Sequence, residues 1–216
     1  MVFTHGLGDD GRTWDAVVPP FTASHCVVTW DLRGHGQSVA SPDTEYSREL
    51  AISDLLSIVE ESDGPVDLVG HSLGGYLSLA LALRHPERVA SLTMVASGPG
   101  YRDPAARAEW NRYVDESATQ MPIPVGAAAL CHQDDSSVID HVAELRAPLL
   151  LLVGERDRRF HAGAAYLAER VPGTELVQVG DAGHHPQRTH PDLVARAIDA
   201  HVGRRRETSS GGRPPR

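Results

Sequence analysis

The 216-residue sequence predicts an α/β fold, a mostly parallel sheet with helices on both of its faces. Three observations lead there. Six short apolar runs recur along the chain, segments with helical periodicity lie between them, and several of the runs are β-branched and nearly continuous. A strand covered on both faces reads that way, because neither side of the sheet is left for polar side chains.

The runs fall at residues 1–4, 26–30, 66–69, 91–96, 149–153 and 175–179. Cys26 opens the second and is expected as a buried strand residue. Between the second and third runs, residues 47–61 read as an amphipathic helix with Ala51, Leu55, Ile58 and Val59 on one stripe and Ser47 as N-cap. Residues 76–83 are apolar nearly all round, as a central buried helix would be, and stop at His85-Pro86. Residues 98–147 have weaker periodicity and scattered aromatics and read as an insertion over the sheet, with a core helix at 136–145. A last helix starts near Pro191, a good first helical position, and buries Leu193, Val194, Ala197, Ile198 and Val202. From Gly203 the chain is rich in Arg, Ser, Gly and Pro, so one domain over 1–202 and a disordered tail over 203–216 are expected.

Composition removes several classes of function. A formal net charge of −9 argues against a nucleic-acid partner, which needs a basic face; the Arg204-Arg205-Arg206 cluster reads as a solvated end. The chain has no lysine, which excludes a phosphate-loop lysine, a pyridoxal-phosphate Schiff base and a lysine nucleophile. Its two cysteines are not spaced for zinc. No apolar run is long enough to span a bilayer, and the sequence opens on Met1-Val2-Phe3-Thr4-His5-Gly6 with no secretory pattern, so a cytoplasmic protein is expected.

The motif that carries chemistry is Gly70-His71-Ser72-Leu73-Gly74-Gly75, a G-x-S-x-G turn between a strand and a helix. Glycines allow the sharp turn and the close packing of helix on sheet. The turn lifts the Ser72 hydroxyl clear of the backbone and aims the Leu73 amide at a reacting carbonyl oxygen. A competing pattern, Gly6-Leu7-Gly8-Asp9-Asp10-Gly11 with Asp31 downstream, has the spacing of a dinucleotide site. Asp9 and Asp10 would repel pyrophosphate there, Pro19-Pro20 interrupts the helix that should follow, and His5 and the serine turn would go unexplained.

The serine turn, together with His5-Gly6-Leu7-Gly8 and the stretch from Asp31 to Ser38, resembles the α/β-hydrolase superfamily, closest to enol-lactonase-like and esterase-like members. That resemblance implies an α/β-hydrolase fold with a small cap over 98–147. It implies Ser72 as nucleophile and the Leu7 amide as a second oxyanion donor beside Leu73. Arg33 and His35 are structural in such a loop. Among the twelve histidines, Gly183-His184-His185-Pro186 matches the catalytic histidine loop and selects His184. The acid between nucleophile and histidine falls at Asp157, with Glu155 as competitor. The paired histidines have no H-E-x-x-H pattern or third ligand beside them in the sequence, so neither a metal nor any other cofactor is expected.

Two departures from the resemblance stand out. Relatives carry a β-hairpin before the strand that ends in His-Gly, whereas here that strand opens at Met1, and the cap is short. Trp110, Tyr113, Met121, Leu130 and His132 are candidates for the pocket wall, each as readily part of the core. The activity implied is acyl transfer from a small ester, lactone or related carbonyl substrate to water. Carbon–carbon bond hydrolysis and perhydrolysis use much the same triad, and a ligand-binding, inactive relative is the rival from another class.

Overall fold

Each of the six apolar runs becomes a strand of one sheet in the computed structural model, which describes residues 1–38 and 44–210, with 205–210 by backbone alone. The strands are β1 (Val2–Thr4), β2 (Val28–Trp30), β3 (Val66–His71), β4 (Val89–Val95), β5 (Leu149–Gly154) and β6 (Glu175–Val179). The helices are α1 (Arg48–Glu60), α2 (Leu73–Arg84), α3 (Pro104–Ala118), α4 (Ser137–His141), α5 (Arg158–Arg170), α6 (Pro186–Thr189) and α7 (Pro191–Ser210). Every described strand pairing is parallel, in the order β2-β1-β3-β4-β5-β6.

The continuous apolar runs are explained by two cores, one on each face. Val2, Leu68, Leu92, Met94, Leu149 and Leu151 enter the core formed with α1, α2 and α5. Their neighbours Phe3, Val69, Val95, Leu150 and Leu152 enter the other, with Trp14, Phe21 and the Val194, Ile198 and Val202 stripe of α7. Successive side chains of a strand point to opposite faces, so a strand feeding both cores must be apolar throughout.

The helix boundaries follow local chemistry. The Ser47 hydroxyl accepts the Leu50 N–H at 3.2 Å and starts α1, which buries Ala51, Ile52, Leu55 and Val59, while Ile58 is partly buried. Helix α7 begins at Pro191 as expected, but its buried stripe includes Ala195, and Leu193 and Ala197 are only partly covered. That helix also corrects the expected tail: it continues through Gly203 to Ser210, and Arg204 pairs with Glu175 of β6. Residues 211–216 lie outside the described residues. In the insertion, the segment expected as one helix over 136–145 is the short α4 followed by a 3₁₀ turn at Val142–Glu144.

Cys26 is a second correction. It is exposed and precedes β2, which is an edge strand among the described residues. Its carbonyl accepts a hydrogen bond from the Met1 ammonium group at 2.6 Å. Among the described residues, no helix is long and apolar enough to cross a membrane.

The sheet order also locates the crevice. From β1 the chain moves outward to β2, then returns to place β3 on the other side of β1. The loops leaving β1 and β3 therefore diverge at their C-terminal ends, where open α/β sheets bind ligands. Close packing there depends on glycine: a Cβ on Gly74 would stand 2.3 Å from the Thr4 carbonyl oxygen and 2.6 Å from that of His5. Gly74→Ala should cost about 3 kcal/mol or more in urea unfolding, since backbone rather than a flexible side chain must yield. Gly64→Ala, with nothing within 4 Å of the added carbon, should change stability by less than about 0.5 kcal/mol.

Candidate active site

Between the last residue of β3 and the first of α2 stands one residue, Ser72, with φ 50° and ψ −114°. A positive φ is strained for a residue with a side chain and persists only where the surroundings impose it. Here the Ser72 N–H donates to the Val95 carbonyl at 2.9 Å, and the Ser97 hydroxyl donates to the Ser72 carbonyl at 2.7 Å. Gly70 and Gly75 clear the turn: a Cβ on Gly70 would lie 2.3 Å from the Gly74 backbone, and one on Gly75 would lie 2.7 Å from the Ser97 side chain.

The other two predicted polar residues arrive from the ends of β5 and β6. Nε2 of His184 lies 3.1 Å from Ser72 Oγ, and its Nδ1 lies 2.8 Å from Asp157 Oδ2. Asp157 is buried, whereas the His184 side chain keeps 33% exposure. Phe160 stacks on the His184 ring at 4.8 Å with an interplanar angle of 20°. His71 donates its Nε2–H to the His184 carbonyl at 2.8 Å, so the loop is held from behind. Full burial, reinforced by His184 and His185, pushes the His71 pKa well below the ordinary histidine value.

Glu155, the competing acid, serves its own loop. Its N–H donates to the Val179 carbonyl at 2.9 Å and its carboxylate accepts the Asp181 N–H at 2.9 Å. Leu7 and Leu73 border the cleft on either side of Ser72. Among the described residues neither of their backbone N–H groups has a backbone acceptor, as expected for Leu73 at the first position of α2.

The acidic residue of the dinucleotide-like pattern is fully occupied. Asp31 accepts the Gly11 and Gln37 N–H groups, each at 2.7 Å. Arg33 makes a two-pronged pair with Asp54, both contacts at 2.7 Å, and His35 bonds to the Arg33 carbonyl. His5 Nε2 accepts the Leu32 N–H at 2.9 Å. Its Nδ1 therefore carries the proton and donates to the Gly6 carbonyl at 2.7 Å. This network ties the loop after β1 to the loop after β2, and neither Arg33 nor His35 lines the cleft.

Two connected clefts open at Ser72. One, of about 590 Å³, is lined by Tyr76, Ser97, Tyr101, Gln133 and Phe160. The other, of about 800 Å³, is lined by Leu7, Tyr113, Val114, Met121 and His184. Trp110 lines both, and Tyr113 and Met121 line the second. Leu130 does not: it is fully buried in the core against α1 and α2, because the 3₁₀ turn Ala127–Cys131 points it inward. His132 bonds to Asp115 at 2.8 Å and lines neither cleft.

Sequence reasoning missed Phe160, Arg159 and Cys131, all of which line both clefts. The first two follow Asp157 on the first turn of α5, a position that signals proximity to the site once the acid is known. Arg159 stacks on Tyr113 at 3.8 Å. The Cys131 thiol is pushed up to about 12 by burial.

Residues 1–197, nearly the whole chain, match the family described as "Alpha/beta hydrolase family". The chain belongs to that family. This α/β-hydrolase is 29% identical over 247 aligned residues to a pimeloyl-[acyl-carrier protein] methyl ester esterase of Aeromonas hydrophila subsp. hydrophila, covering 94% of this chain and 95% of that one. It is 34% identical over 101 residues to a 2-hydroxymuconate semialdehyde hydrolase of Pseudomonas sp. (strain CF600), covering 45% of this chain and 36% of that one. Among solved structures, MenH from S. aureus superposes with a TM-score of 0.82 at 22% identity, covering 95% of this chain and 93% of the other. The family match and relatives named as esterases and hydrolases make this α/β-hydrolase an enzyme of the hydrolase class.

Burial of His35 generates a pH dependence. Its pKa falls from 6.5 to about 4, chiefly through desolvation. Below pH 6.5 the unfolded chain takes up a proton that the folded chain refuses, so stability falls with acid until about pH 4. The loss from this one group is on the order of 3 kcal/mol. Urea unfolding between pH 7 and pH 4 should show a shallower decline for His35→Asn, which keeps a donor for the Arg33 carbonyl; parallel declines would contradict this account.

Proposed function

We propose that this α/β-hydrolase is a serine hydrolase acting on small ester, lactone or related carbonyl substrates through an acyl-enzyme. The observation that carries the reading is the chain of contacts from Ser72 Oγ to His184 Nε2, 3.1 Å, and from His184 Nδ1 to Asp157 Oδ2, 2.8 Å. A serine hydroxyl is a poor nucleophile unless a base takes its proton. In the proposed mechanism Ser72 Oγ bonds to the substrate carbonyl carbon while its proton passes to His184 Nε2. Asp157 holds the imidazole in the tautomer that accepts there and stabilises the imidazolium. The Leu7 and Leu73 amides receive the oxyanion, with the N-terminal end of α2 adding a favourable dipole. His184 then returns the proton to the leaving oxygen as the carbon–oxygen bond breaks. Water repeats the sequence and releases the acid.

The two clefts supply one side for the acyl group and one for the leaving group. Beside the proposed triad, the first carries Ser97, Gln133 and Arg159 among mainly apolar and aromatic residues, and the second carries Arg159, Ser117, His71 and His185. The retained exposure of His184 and the 41% exposure of Tyr113 leave the site reachable without movement of the insertion. Relatives named as methyl ester esterases act on ester bonds by name, which favours acyl transfer to water over the other reactions a triad performs.

A fluorophosphonate probe should label the wild type and fail on Ser72→Ala, which separates a working serine from a ligand-binding relative. Turnover should fall by roughly 10⁵–10⁶ for Ser72→Ala or His184→Ala and by about 10⁴ for Asp157→Asn. Glu155→Gln should leave turnover within a fewfold, and a crippled Glu155→Gln would move the acid to that residue. Across nitrophenyl esters of rising chain length, rates should be highest for the short acyl groups; a steep rise for long chains or activation at an interface would show that the insertion must move.

A further inference from the structure

Three side chains that the serine chemistry does not use converge beside the cleft at Ser72, which His71 and His185 help to line. Asp9 comes from the loop after β1, His71 from the last position of β3, and His185 from the residue after the proposed base. Each offers a ligand atom within 4.8 Å of the other two. The sequence places no third ligand near His184-His185; the fold brings two.

The environment of these atoms is not that of an ordinary polar cluster. Nδ1 of His71 and Oδ2 of Asp9 are buried without any hydrogen-bond partner, on side chains that are 1% and 7% exposed. Both are acceptors. His71 uses its other nitrogen to donate to the His184 carbonyl, so Nδ1 presents a lone pair. Asp9 Oδ1 is occupied by the Asp10 N–H at 2.9 Å and by Arg188, so Oδ2 is what remains. Buried acceptors left unsatisfied are costly and call for an explanation. The space beside His71 Nδ1 is kept open by Gly6, where a Cβ would stand 2.8 Å from that nitrogen.

We propose that Asp9, His71 and His185 form a binding site for a divalent transition-metal cation of the zinc class. Two imidazole nitrogens and one carboxylate oxygen suit zinc, cobalt or nickel, and three protein ligands leave a position for water. Mg²⁺ and Ca²⁺ favour oxygen ligands and are excluded by the same donor set. The outer contacts are those of a built site: His71 is oriented by the His184 carbonyl and Asp9 by Arg188 and the Asp10 amide. In a tetrahedral zinc site, ligand atoms about 2.1 Å from the ion stand about 3.4 Å apart, so atoms up to 4.8 Å apart draw together by as much as about 1.4 Å on binding, a movement available to the partly exposed His185 ring. The Arg188 guanidinium opposes a cation and keeps binding reversible. An ion here clamps together the loops that carry Leu7, Ser72 and His184.

Calorimetric titration of the whole protein with zinc chloride, after treatment with EDTA, tests the site by binding and not by turnover, so its outcome is independent of the serine chemistry. The expected result is one saturable zinc per chain with a raised melting temperature, by preferential binding to the folded state. Asp9→Asn, nearly isosteric, and His185→Ala should each weaken binding by roughly tenfold or more, while His184→Ala retains it. No saturable binding to the wild type, as for a pocket that holds only water, overturns the proposal. So does binding unchanged in both ligand variants, or binding lost only in His184→Ala, which would put the ion on the triad.

Discussion

The backbone of α2 lies directly on the carbonyl groups at the end of β1, with only the hydrogen of Gly74 between them. Strand, turn and helix are thereby drawn so tight that the residue at the turn has to take a positive φ, and that residue is Ser72. The strain is borne by neighbours: Val95 accepts the Ser72 N–H, and Ser97 donates to its carbonyl. The same contact brings the loop after β1 within reach of the first turn of α2, so that Leu7 and Leu73 flank one point. Any side chain at position 74 would push the two apart and separate the amides from the hydroxyl.

Around that contact, burial sorts the histidines. His5, His35 and His71 are enclosed, and desolvation pushes each below the ordinary histidine value. Held neutral, they act as fixed donors and acceptors: His5 on Leu32 and Gly6, His71 on the carbonyl of His184. His184 differs in keeping contact with solvent and in facing the Asp157 carboxylate. The buried neutral imidazoles position the loops, whereas His184 stands partly exposed between a carboxylate and the Ser72 hydroxyl.

The insertion is where sequence reading was weakest, for a physical reason. Helix α3 buries only Val114 completely, and its cleft-facing residues Trp110 and Tyr113 are half-covered or exposed. Side chains that line an open cleft look neither like core nor like surface, so periodicity cannot separate them from Leu130, which is core. Cys26 erred in the other direction: an apolar run predicts burial only if the strand is covered, and β2 stands at an edge of the described sheet.

What the sequence determined by itself was whatever is local or periodic. The six strands, the Ser47 cap, the buried central helix and the serine turn all follow from neighbouring residues, because steric limits and face periodicity act over a few positions. The order Ser72, Asp157, His184 was legible through resemblance to a family that constrains each to the end of a strand. Tertiary structure alone decided which distant groups meet. Asp31 spends its carboxylate on Gly11 and Gln37, Glu155 turns to Asp181, and Asp9 joins His71 and His185. Those encounters depend on where the parallel strands deliver their loops, and in a parallel sheet that is set by crossovers, not by adjacency along the chain.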